Sequence, residues 1–483
     1  MTRARQIAVV GDALLDRDVE GTVERLSPDA PVPVVDRSDE RSRPGGAGLA
    51  AALAAADGHE VTLVTALGDD EAGRDLRALL ERCGVTVVDL GLASPTPEKL
   101  RVLAAGRSLL RIDRGERRPS AVGAATADAT AAIVAADAVL VSDYGRGVAG
   151  QAGVRRALER AARERPLVWD PHPHGPEPVS GAAITTANAA EAERFAPGIR
   201  GDGVAAVAAR ARGLLERWRC RAACVTLGGG GALLVGRSGH PALVPAPTAG
   251  GGDPCGAGDR FASRVAGALA AGTPTAAAVE QAVAAASGFV DAGGAVSVRL
   301  GSGRIGPPSR SDLDGGKPSA ERSPTGPRSM TGGAVERAER ERAGGRRVVA
   351  TGGCFDLLHA GHVRMLAAAR GLGDCLIVCL NSDSSVAALK GPGRPIVPQA
   401  ARASVLEALE SVDGVLVFDG PTPEAAIERL RPDVWVKGGD YAGEHLPEAG
   451  AVEAHGGEVV VLPHLDGHST TRLIEEAARR HAA

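Results

Sequence analysis

Aromatic side chains are scarce, at 2% of the 483 residues. Proteins that bind single-stranded nucleic acid stack bases on aromatic rings, and those that bind duplexes present a basic surface. The net charge is −4 and no basic stripe is present, so no nucleic-acid partner is expected. No apolar run is long enough to cross a bilayer, and the first one is broken at Gly11 and Asp12. We therefore expect a cytoplasmic protein without a membrane partner.

Cysteine and lysine are also informative. The seven cysteines are odd in number and scattered, which predicts reduced thiols rather than a disulfide framework. Only four of the 55 basic residues are lysines: Lys99, Lys317, Lys390 and Lys437. Because arginine occupies the ordinary basic surface positions, each remaining lysine is a candidate for a functional compact charge.

The order of predicted elements indicates two α/β domains, since 483 residues exceed one ordinary core. Strand-like and helix-like segments alternate over residues 1–300, a pattern typical of a doubly wound, mostly parallel sheet. Residues 301–330 contain 17 Gly, Ser or Pro residues, which predicts a flexible linker. A charged and solvated helix is expected to complete the linker region 301–345. Residues 346–483 alternate again and predict a smaller Rossmann-like domain.

The stretch Gly256-Ala257-Gly258-Asp259 precedes an apolar helical run. Glycines at a helix start expose successive N–H groups, which can neutralise charge on a transferring phosphoryl group. An aspartate one step later could take a proton from an attacking hydroxyl. Asp259 is therefore a candidate general base, with Gly256, Ala257 and Gly258 as nucleotide-binding residues. A simple helix cap is the alternative reading of this short pattern.

An ordered set of motifs resembles the ribokinase-like sugar kinases. The motifs are Gly11-Asp12, Gly45-Gly46, Asn188-Ala189-Ala190-Glu191, Thr226-Leu227-Gly228 and Gly256-Ala257-Gly258-Asp259. The resemblance implies ATP as phosphoryl donor, with Asn188, Glu191, Thr226 and Gly228 near the nucleotide. It further implies that Glu191 helps to organise Mg²⁺ indirectly.

Two further segments, 25–35 and 99–102, resemble the heptose 7-phosphate kinase branch of these enzymes. Residues 11–16 are expected to form a turn with two carboxylates, and residues 25–35 a proline-punctuated edge segment. The implied substrate-binding residues are Asp12, Asp16, Gly45, Gly46, Lys99 and Arg101. The chain departs from the family pattern at Leu49, Cys255 and Arg260. The last change is expected to place charge beside the general base.

The stretch from Gly353 to His362, Gly-Cys-Phe-Asp-Leu-Leu-His-Ala-Gly-His, follows a predicted buried strand over residues 347–351. The two histidines are therefore expected where a parallel strand leads into a helix, a place that favours bound phosphate. His359 and His362 could then contact the same phosphoryl group.

This stretch and three later motifs resemble the cytidylyltransferase-like nucleotidyltransferases. The later motifs begin at Lys390, Val436 and His468. The resemblance implies that His359 and His362 contact the α-phosphoryl group, and that Lys390 and Arg394 hold the β- and γ-phosphates. The other implied nucleotide-binding residues are Gly353, Phe355, Asp356, Lys437, Gly438, Asp440, Ser469 and Thr470.

Both halves together resemble the bifunctional heptose 7-phosphate kinase and heptose 1-phosphate adenylyltransferase family. The family implies phosphorylation of the sugar at C1, removal of the 7-phosphate by a separate phosphatase, and adenylyl transfer from ATP. It also implies small-molecule substrates and a homo-oligomer. Two alternatives stay open on the sequence. One is the same chemistry, including cytidylyl transfer, on another sugar or polyol phosphate. The other is a non-catalytic N-terminal sensor of sugar phosphates.

Overall fold

A computed structural model describes residues 4–104, 107–115, 121–201, 203–237, 239–247, 252–298, 333–439 and 446–463. Among these residues, no helix is both long and apolar enough to cross a membrane. The described residues fall into two compact units. The first unit contains those of 1–198, 210–232 and 246–318, and the second those of 199–209, 233–245 and 319–483.

Eighteen strands and fourteen α-helices are present in the described ranges. The strands are β1 Gln6–Gly11, β2 Ala13–Leu26, β3 Pro33–Gly46, β4 Glu60–Thr65, β5 Val85–Asp89, β6 Glu98–Ala104, β7 Arg107–Arg114, β8 Ala138–Ser142, β9 Leu167–Asp170, β10 Ile184–Asn188, β11 Ala222–Thr226, β12 Ala232–Gly236, β13 Ala242–Val244, β14 Val348–Gly353, β15 Cys375–Asn381, β16 Gly414–Phe418, β17 Val434–Gly438 and β18 Glu458–Leu462. The helices are α1 Ala47–Ala56, α2 Glu71–Arg82, α3 Ala127–Ala135, α4 Ala152–Glu164, α5 Ala189–Phe195, α6 Val204–Trp218, α7 Ala257–Ala270, α8 Thr275–Asp291, α9 Ala334–Ala343, α10 Ala360–Arg370, α11 Asp383–Lys390, α12 Gln399–Glu407, α13 Glu424–Leu430 and α14 Ala449–Glu453.

The main sheet of the first unit contains β11-β10-β9-β8-β1-β4-β5 in that order, and every neighbouring pair is parallel. Its central strands are short apolar runs, as a sheet covered by helices on both faces requires. β8 is buried along its whole length. The predicted alternation of strands and helices around a mostly parallel sheet is confirmed for the described residues of this region. Parallel strands place their carboxyl ends at one edge, where ligands bind in such sheets.

A second, four-stranded sheet in the order β3-β2-β6-β7 lies in the same unit. The predicted turn over residues 11–16 is wrong beyond Asp12, because Asp16 lies within β2. The predicted edge segment over residues 25–35 contains the turn between β2 and β3 with the adjoining strand ends, and β3 is an edge strand of this sheet, as predicted. These strands are rich in charge rather than alternating apolar residues. Ion pairs across them, such as Arg43 with Asp18, compensate for the charges.

The sheet of the second unit contains β16-β15-β14-β17-β18, again parallel throughout. Trp435 of β17 is fully buried in its core. The charged helix α9 was predicted to be solvated, and this is only partly right. Ala338 on its inner side is fully buried in the same core, so α9 packs on the sheet through one small apolar face.

Candidate active sites

Helix α7 begins at the carboxyl-end edge of the main sheet of the first unit. Gly256 precedes it with φ of 80°, a left-handed conformation that glycine adopts without strain. A Cβ at Gly258 would meet no atom within 4 Å, so this turn is open to a ligand. The expectation for Ala257 needs correction. Its N–H already donates to the Pro254 carbonyl at 3.0 Å, because residues 254–257 form a turn. Gly256 and Gly258 are the remaining candidate donors.

Asp259 lies in the first turn of α7 and is 6% exposed. Burial raises the pKa of this carboxyl to about 7, and the neighbouring Asp16 carboxylate acts in the same direction. A hydrogen bond from Tyr144 and the charge of Lys99 act to lower the pKa. The Tyr144 hydroxyl donates to both carboxylate oxygens, at 2.9 and 3.0 Å. The site thus contains an acceptor that can gain or lose a proton near neutral pH.

Asp12 holds the loop that carries Tyr144. Its carboxylate accepts hydrogen bonds from the backbone N–H groups of Tyr144, Arg146 and Val148 at 2.9–3.1 Å. Asp12 is 3% exposed, and burial raises its pKa although these bonds act to lower it. Asp12 therefore fixes the backbone of the loop over residues 144–148. No local pattern indicates this role, because the loop follows more than 130 residues later in the chain.

The four-stranded sheet contributes the other expected substrate residues. Asp16 and Lys99 lie opposite each other on β2 and β6, and Arg101 lies 3.4 Å from the Asp16 carboxylate. A Cβ at Gly45 would lie 2.6 Å from an Asp16 oxygen, and one at Gly46 would lie 2.6 Å from the Asp12 carbonyl oxygen. Both positions consequently need glycine for this close approach. Lys99 Nζ is 5.5 Å from the centre of the Tyr144 ring, which connects this group to Asp259.

The expected nucleotide residues lie at neighbouring strand ends. Asn188 caps α5 and forms a reciprocal capping box with Glu191. Thr226 pairs in register with Asn188, and Gly228 begins the next turn with φ of 56°.

Sequence reasoning left Asp170, at the end of β9, without a role. Burial raises its pKa well above the ordinary value, and the charges of Glu191 and Asp259 act in the same direction. Burial also raises the pKa of Glu191. Uncompensated carboxylates therefore gather at this edge of the sheet.

The three departures from the family pattern have structural explanations. Leu49 is 2% exposed and packs with Leu53, Ala295 and Val298, so it belongs to the core. Cys255 is half-buried, with its Sγ 3.5 Å from an Arg101 nitrogen. The expectation that Arg260 places charge beside the base is wrong. Its guanidinium pairs with both oxygens of Asp57 at 2.9 and 3.0 Å, and that carboxylate neutralises it.

In the second unit, the two histidines meet at the start of α10. Their rings are 3.9 Å apart between centroids and inclined by 32°. The backbone N–H of His359 donates to Nδ1 of His362 at 3.4 Å, so Nε2 is the nitrogen of the neutral His362 ring that carries the proton and can donate. Phe355 has φ of 44°, unusual for a side chain of this size. Its ring lies 5.4 Å from that of His362, and a Cβ at Gly353 would come within 3.0 Å of the Phe355 ring.

Asp356 was expected near the nucleotide, but its oxygens are occupied by the protein. It accepts hydrogen bonds from the N–H groups of Ile396 and Val397 and from Nε of Arg394, at 2.6–3.0 Å. Burial acts to raise its pKa, but these bonds hold it below the ordinary value. Asp356 therefore fixes the loop that carries Arg394. Arg402, which the sequence analysis missed, is 1% exposed and donates to Cys354, Asp383 and Val397.

Lys437 also has a protein partner. Its ammonium donates to Glu448 at 2.7 Å. Glu448 is 2% exposed, and burial acts to raise its pKa, but the bond from Lys437 holds the pKa below its ordinary value. Gly438 ends β17 beside Met365, and Lys390 is exposed at the end of α11. Asp440, Ser469 and Thr470 lie outside the described residues.

The match to known proteins covers both units. Residues 4–299 match the pfkB family carbohydrate kinases, and residues 350–476 match the Cytidylyltransferase-like family. Bifunctional protein HldE of Streptomyces coelicolor is 54% identical over 475 residues, which cover 98% of this chain and 96% of that protein. The chain belongs to the HldE family. HldE proteins of Azotobacter vinelandii and Caulobacter vibrioides are 40% and 38% identical, and each match covers at least 96% of both chains.

Among solved structures, an Arabidopsis thaliana ribokinase complexed with ribose and ATP aligns with a TM-score of 0.47 and 22% identity. The alignment covers 60% of this chain and 93% of that one. Membership of the HldE family confirms the predicted fold class, a ribokinase-like unit followed by a nucleotidyltransferase unit. It also confirms the predicted enzyme, a bifunctional kinase and adenylyltransferase of heptose biosynthesis.

Proposed function

We propose that the first unit transfers the γ-phosphoryl group of ATP to the C1 hydroxyl of D-glycero-D-manno-heptose 7-phosphate. The observation that carries this proposal is the position of Asp259 at the open N-terminus of α7, buried and with a pKa raised to about 7. Asp259 takes the proton of the C1 hydroxyl as its oxygen bonds to the γ-phosphorus, and ADP leaves. The N–H groups of Gly256 and Gly258 face the charge on the phosphoryl oxygens.

The substrate is held from the four-stranded sheet. Asp16 accepts hydrogen bonds from sugar hydroxyls, while Gly45 and Gly46 allow the sugar to approach the backbone. Lys99 and Arg101 provide the cationic groups suited to a sugar that already carries a phosphate. Asp12 acts indirectly, through the loop that it anchors.

The nucleotide lies over the ends of β10 and β11, near Asn188, Thr226 and Gly228. Asp170 and Glu191 would hold Mg²⁺ at this edge, Glu191 indirectly, because a divalent cation would favour the ionised forms of two carboxyls whose pKa values burial raises. When bound, the ion supplies positive charge to the triphosphate oxygens.

The second unit transfers the adenylyl group of ATP to heptose 1-phosphate, giving ADP-heptose and pyrophosphate. The attacking phosphate oxygen is already an anion, so the site has to position and neutralise rather than remove a proton. The close pair of His359 and His362 at the start of α10 supports this role at the α-phosphoryl oxygens. Arg394 is held near them by Asp356, and Lys390, exposed on α11, contacts the outer phosphates. Gly353 and Phe355 shape the turn beneath the nucleotide.

The remaining transferase residues complete the proposal. Lys437, steadied by Glu448, and Gly438 face the nucleotide at the end of β17, together with Asp440. Ser469 and Thr470 donate hydrogen bonds to the phosphates.

A separate phosphatase removes the 7-phosphate between the two reactions, because the kinase product carries two phosphates. A homo-oligomer stays a prediction. A cytoplasmic location agrees with the free thiols of all seven cysteines.

The test uses the full-length chain with Mg²⁺, heptose 7-phosphate and either ATP or CTP, with and without a sugar-phosphate phosphatase. Mass spectrometry of the products should show heptose 1,7-bisphosphate without phosphatase and ADP-heptose with it. Asp259→Asn should remove the bisphosphate but leave adenylyl transfer to supplied heptose 1-phosphate. Unchanged bisphosphate production by that variant would refute the kinase mechanism, and a CDP-sugar as main product would refute the adenylyl assignment.

A further inference from the structure

The loop after β8 brings an aromatic hydroxyl onto the carboxylate of Asp259. Tyr144 is one of only two tyrosines in the chain. Its hydroxyl lies 2.9 Å from one oxygen of Asp259 and 3.0 Å from the other. An ionised carboxylate can only accept hydrogen bonds, so the phenol is the donor. Because the proton of the Tyr144 hydroxyl is shared by both oxygens, it fixes the rotation of the Asp259 carboxylate about the Cβ–Cγ bond.

Tyr144 is itself firmly placed. Its N–H donates to the buried Asp12 at 3.1 Å. Its ring stacks on His172 with centroids 6.4 Å apart and an angle of 23°. Gly46, across from the ring, leaves no room for a Cβ, which would lie 2.6 Å from the Asp12 carbonyl oxygen. The hydroxyl therefore has a defined position before substrate arrives.

We propose that Tyr144 is a positioning residue for phosphoryl transfer, and that its hydroxyl keeps the Asp259 carboxylate ionised and aimed at the attacking oxygen. This inference rests on the proposed kinase function and deepens it. In the reaction, the proton of the sugar hydroxyl passes to Asp259, the new O–P bond forms, and the bond from the γ-phosphorus to ADP breaks. Tyr144 keeps its own proton throughout, because burial and the charge of Asp259 raise its pKa well above the ordinary value.

The charged groups that act on Asp259 come from three strands. Lys99 of β6 favours the ionised carboxylate, whereas Asp16 of β2 and Asp170 of β9 disfavour it. Burial is the largest influence and raises the pKa of Asp259. The Tyr144 bond opposes burial, so its loss should leave fewer molecules with an ionised base at neutral pH.

Tyr144→Phe tests the inference, since it keeps the ring and removes only the hydroxyl. At pH 7 we expect kcat of the kinase reaction to fall about tenfold, the usual scale for a hydrogen bond to a charged group. KM for ATP and for the sugar phosphate should stay within about threefold, because binding groups are untouched. The acid limb of the kcat profile should move up by about one pH unit. Adenylyl transfer by the same polypeptide should be unchanged, which shows that the chain is folded.

Two further variants, Asp259→Asn and the double variant of Asp259→Asn with Tyr144→Phe, distinguish failure of the proposed function from failure of the inference. If Asp259→Asn retains kinase turnover, the proposed function fails and the inference with it. If Asp259→Asn is inactive but Tyr144→Phe has the wild-type kcat and pH profile, only the inference is overturned. The double variant should be no slower than Asp259→Asn alone, since Tyr144 acts through Asp259. A further loss would overturn the inference.

Fluorotyrosine incorporated in place of tyrosine covers the case in which Tyr144→Phe misfolds. It preserves the shape of the ring and makes the phenol a stronger donor. The acid limb should then move down, opposite to the shift from Tyr144→Phe. If the kinase remains active and the acid side of its kcat profile lies at the wild-type pH, the inference is overturned.

Discussion

Buried carboxylates behave in opposite ways in the two units. In the first unit, burial raises the pKa of Asp143 and of Asp259 to about 7. In the second unit, Asp356 and Glu448 are also almost inaccessible to solvent but lie less deep in the protein, and hydrogen bonds and cationic partners hold their pKa values below the ordinary range. The neighbours differ as well. Asp259 faces a phenol, two carboxylates and the single cation of Lys99, whereas Asp356 receives two backbone N–H groups and an arginine.

The different behaviour of the carboxylates matches the different groups that attack phosphorus in the two proposed reactions. A sugar hydroxyl must lose a proton as it attacks, so the first unit needs a carboxylate that can take one. A sugar phosphate is already an anion, so the second unit uses its carboxylates to hold cationic groups in place. The depth of burial and the neighbouring groups together therefore decide what a carboxylate does.

The largest expected effect concerns the transferase site. His362→Ala should reduce kcat of adenylyl transfer by about 10²- to 10³-fold, the scale for one donor to a developing anion. Kinase activity of the same protein should be unchanged. The matched control is His455→Gln, an exposed histidine of the same unit, which should keep full activity. Pyrophosphate release measures the transferase reaction, and a loss of less than about threefold in His362→Ala would argue against phosphate contact.

The next effect is a difference in pH dependence. The kinase needs Asp259 ionised, so its kcat should fall about tenfold per unit as the pH drops below about 7. Adenylyl transfer by the same chain should not show this loss below about pH 7, because it needs no carboxylate base and protonated histidines would still neutralise phosphate charge. Saturating substrates and coupled assays at each pH provide the measurement. If kcat of the two activities had the same pH dependence, the proposed difference between the two sites would be wrong.

Asp356→Asn should loosen the loop that carries Arg394. Loss of the charge should lower the free energy of local opening by about 1–3 kcal/mol. Faster hydrogen exchange in peptides containing Ile396 and Val397 measures this, with Glu453→Gln, an exposed acid, as the control. The folded pKa of Asp356 is lowered, so its stabilisation is present above about pH 4 and is lost as the pH falls through the folded pKa. Equal exchange in variant and wild type would show that Asp356 does not hold the loop.

The smallest effect is expected at Arg260. Arg260→Thr removes the pair with Asp57, which is about one-sixth exposed on each side, and should cost no more than about 1 kcal/mol of unfolding free energy. Arg264 remains 3.7 Å from Asp57. Kinase kcat and KM should stay within about threefold. A tenfold change in kcat would mean that the guanidinium acts on Asp259 after all.

The sequence was sufficient for the two parallel sheets and for the helix starts at Gly256 and His359. Short apolar runs and glycine-containing turns depend on local chemistry, which the sequence displays directly. The same holds for the capping pair Asn188 and Glu191, where the three-residue spacing is enough.

The four-stranded sheet was not predictable in the same way. β2 and β3 carry many charges and no regular alternation, so their pairing depends on partners such as Arg43 and Asp18 across the sheet. Contacts over long separations were also missed. Tyr144 lies 115 residues from Asp259, and Arg402 lies 48 residues from Cys354. Such partners become visible only once the chain is folded, because no local pattern identifies them.

The placement of tryptophan gives the molecule a built-in optical label. Trp435 is fully buried in β17, and a Cβ at Gly352 would lie 2.9 Å from its ring. The other two tryptophans, Trp169 and Trp218, belong to the first unit. A chain with Phe at positions 169 and 218 would emit indole fluorescence from the second unit alone. The red shift of this emission in urea would report the unfolding of the second unit, because the first unit would contain no tryptophan.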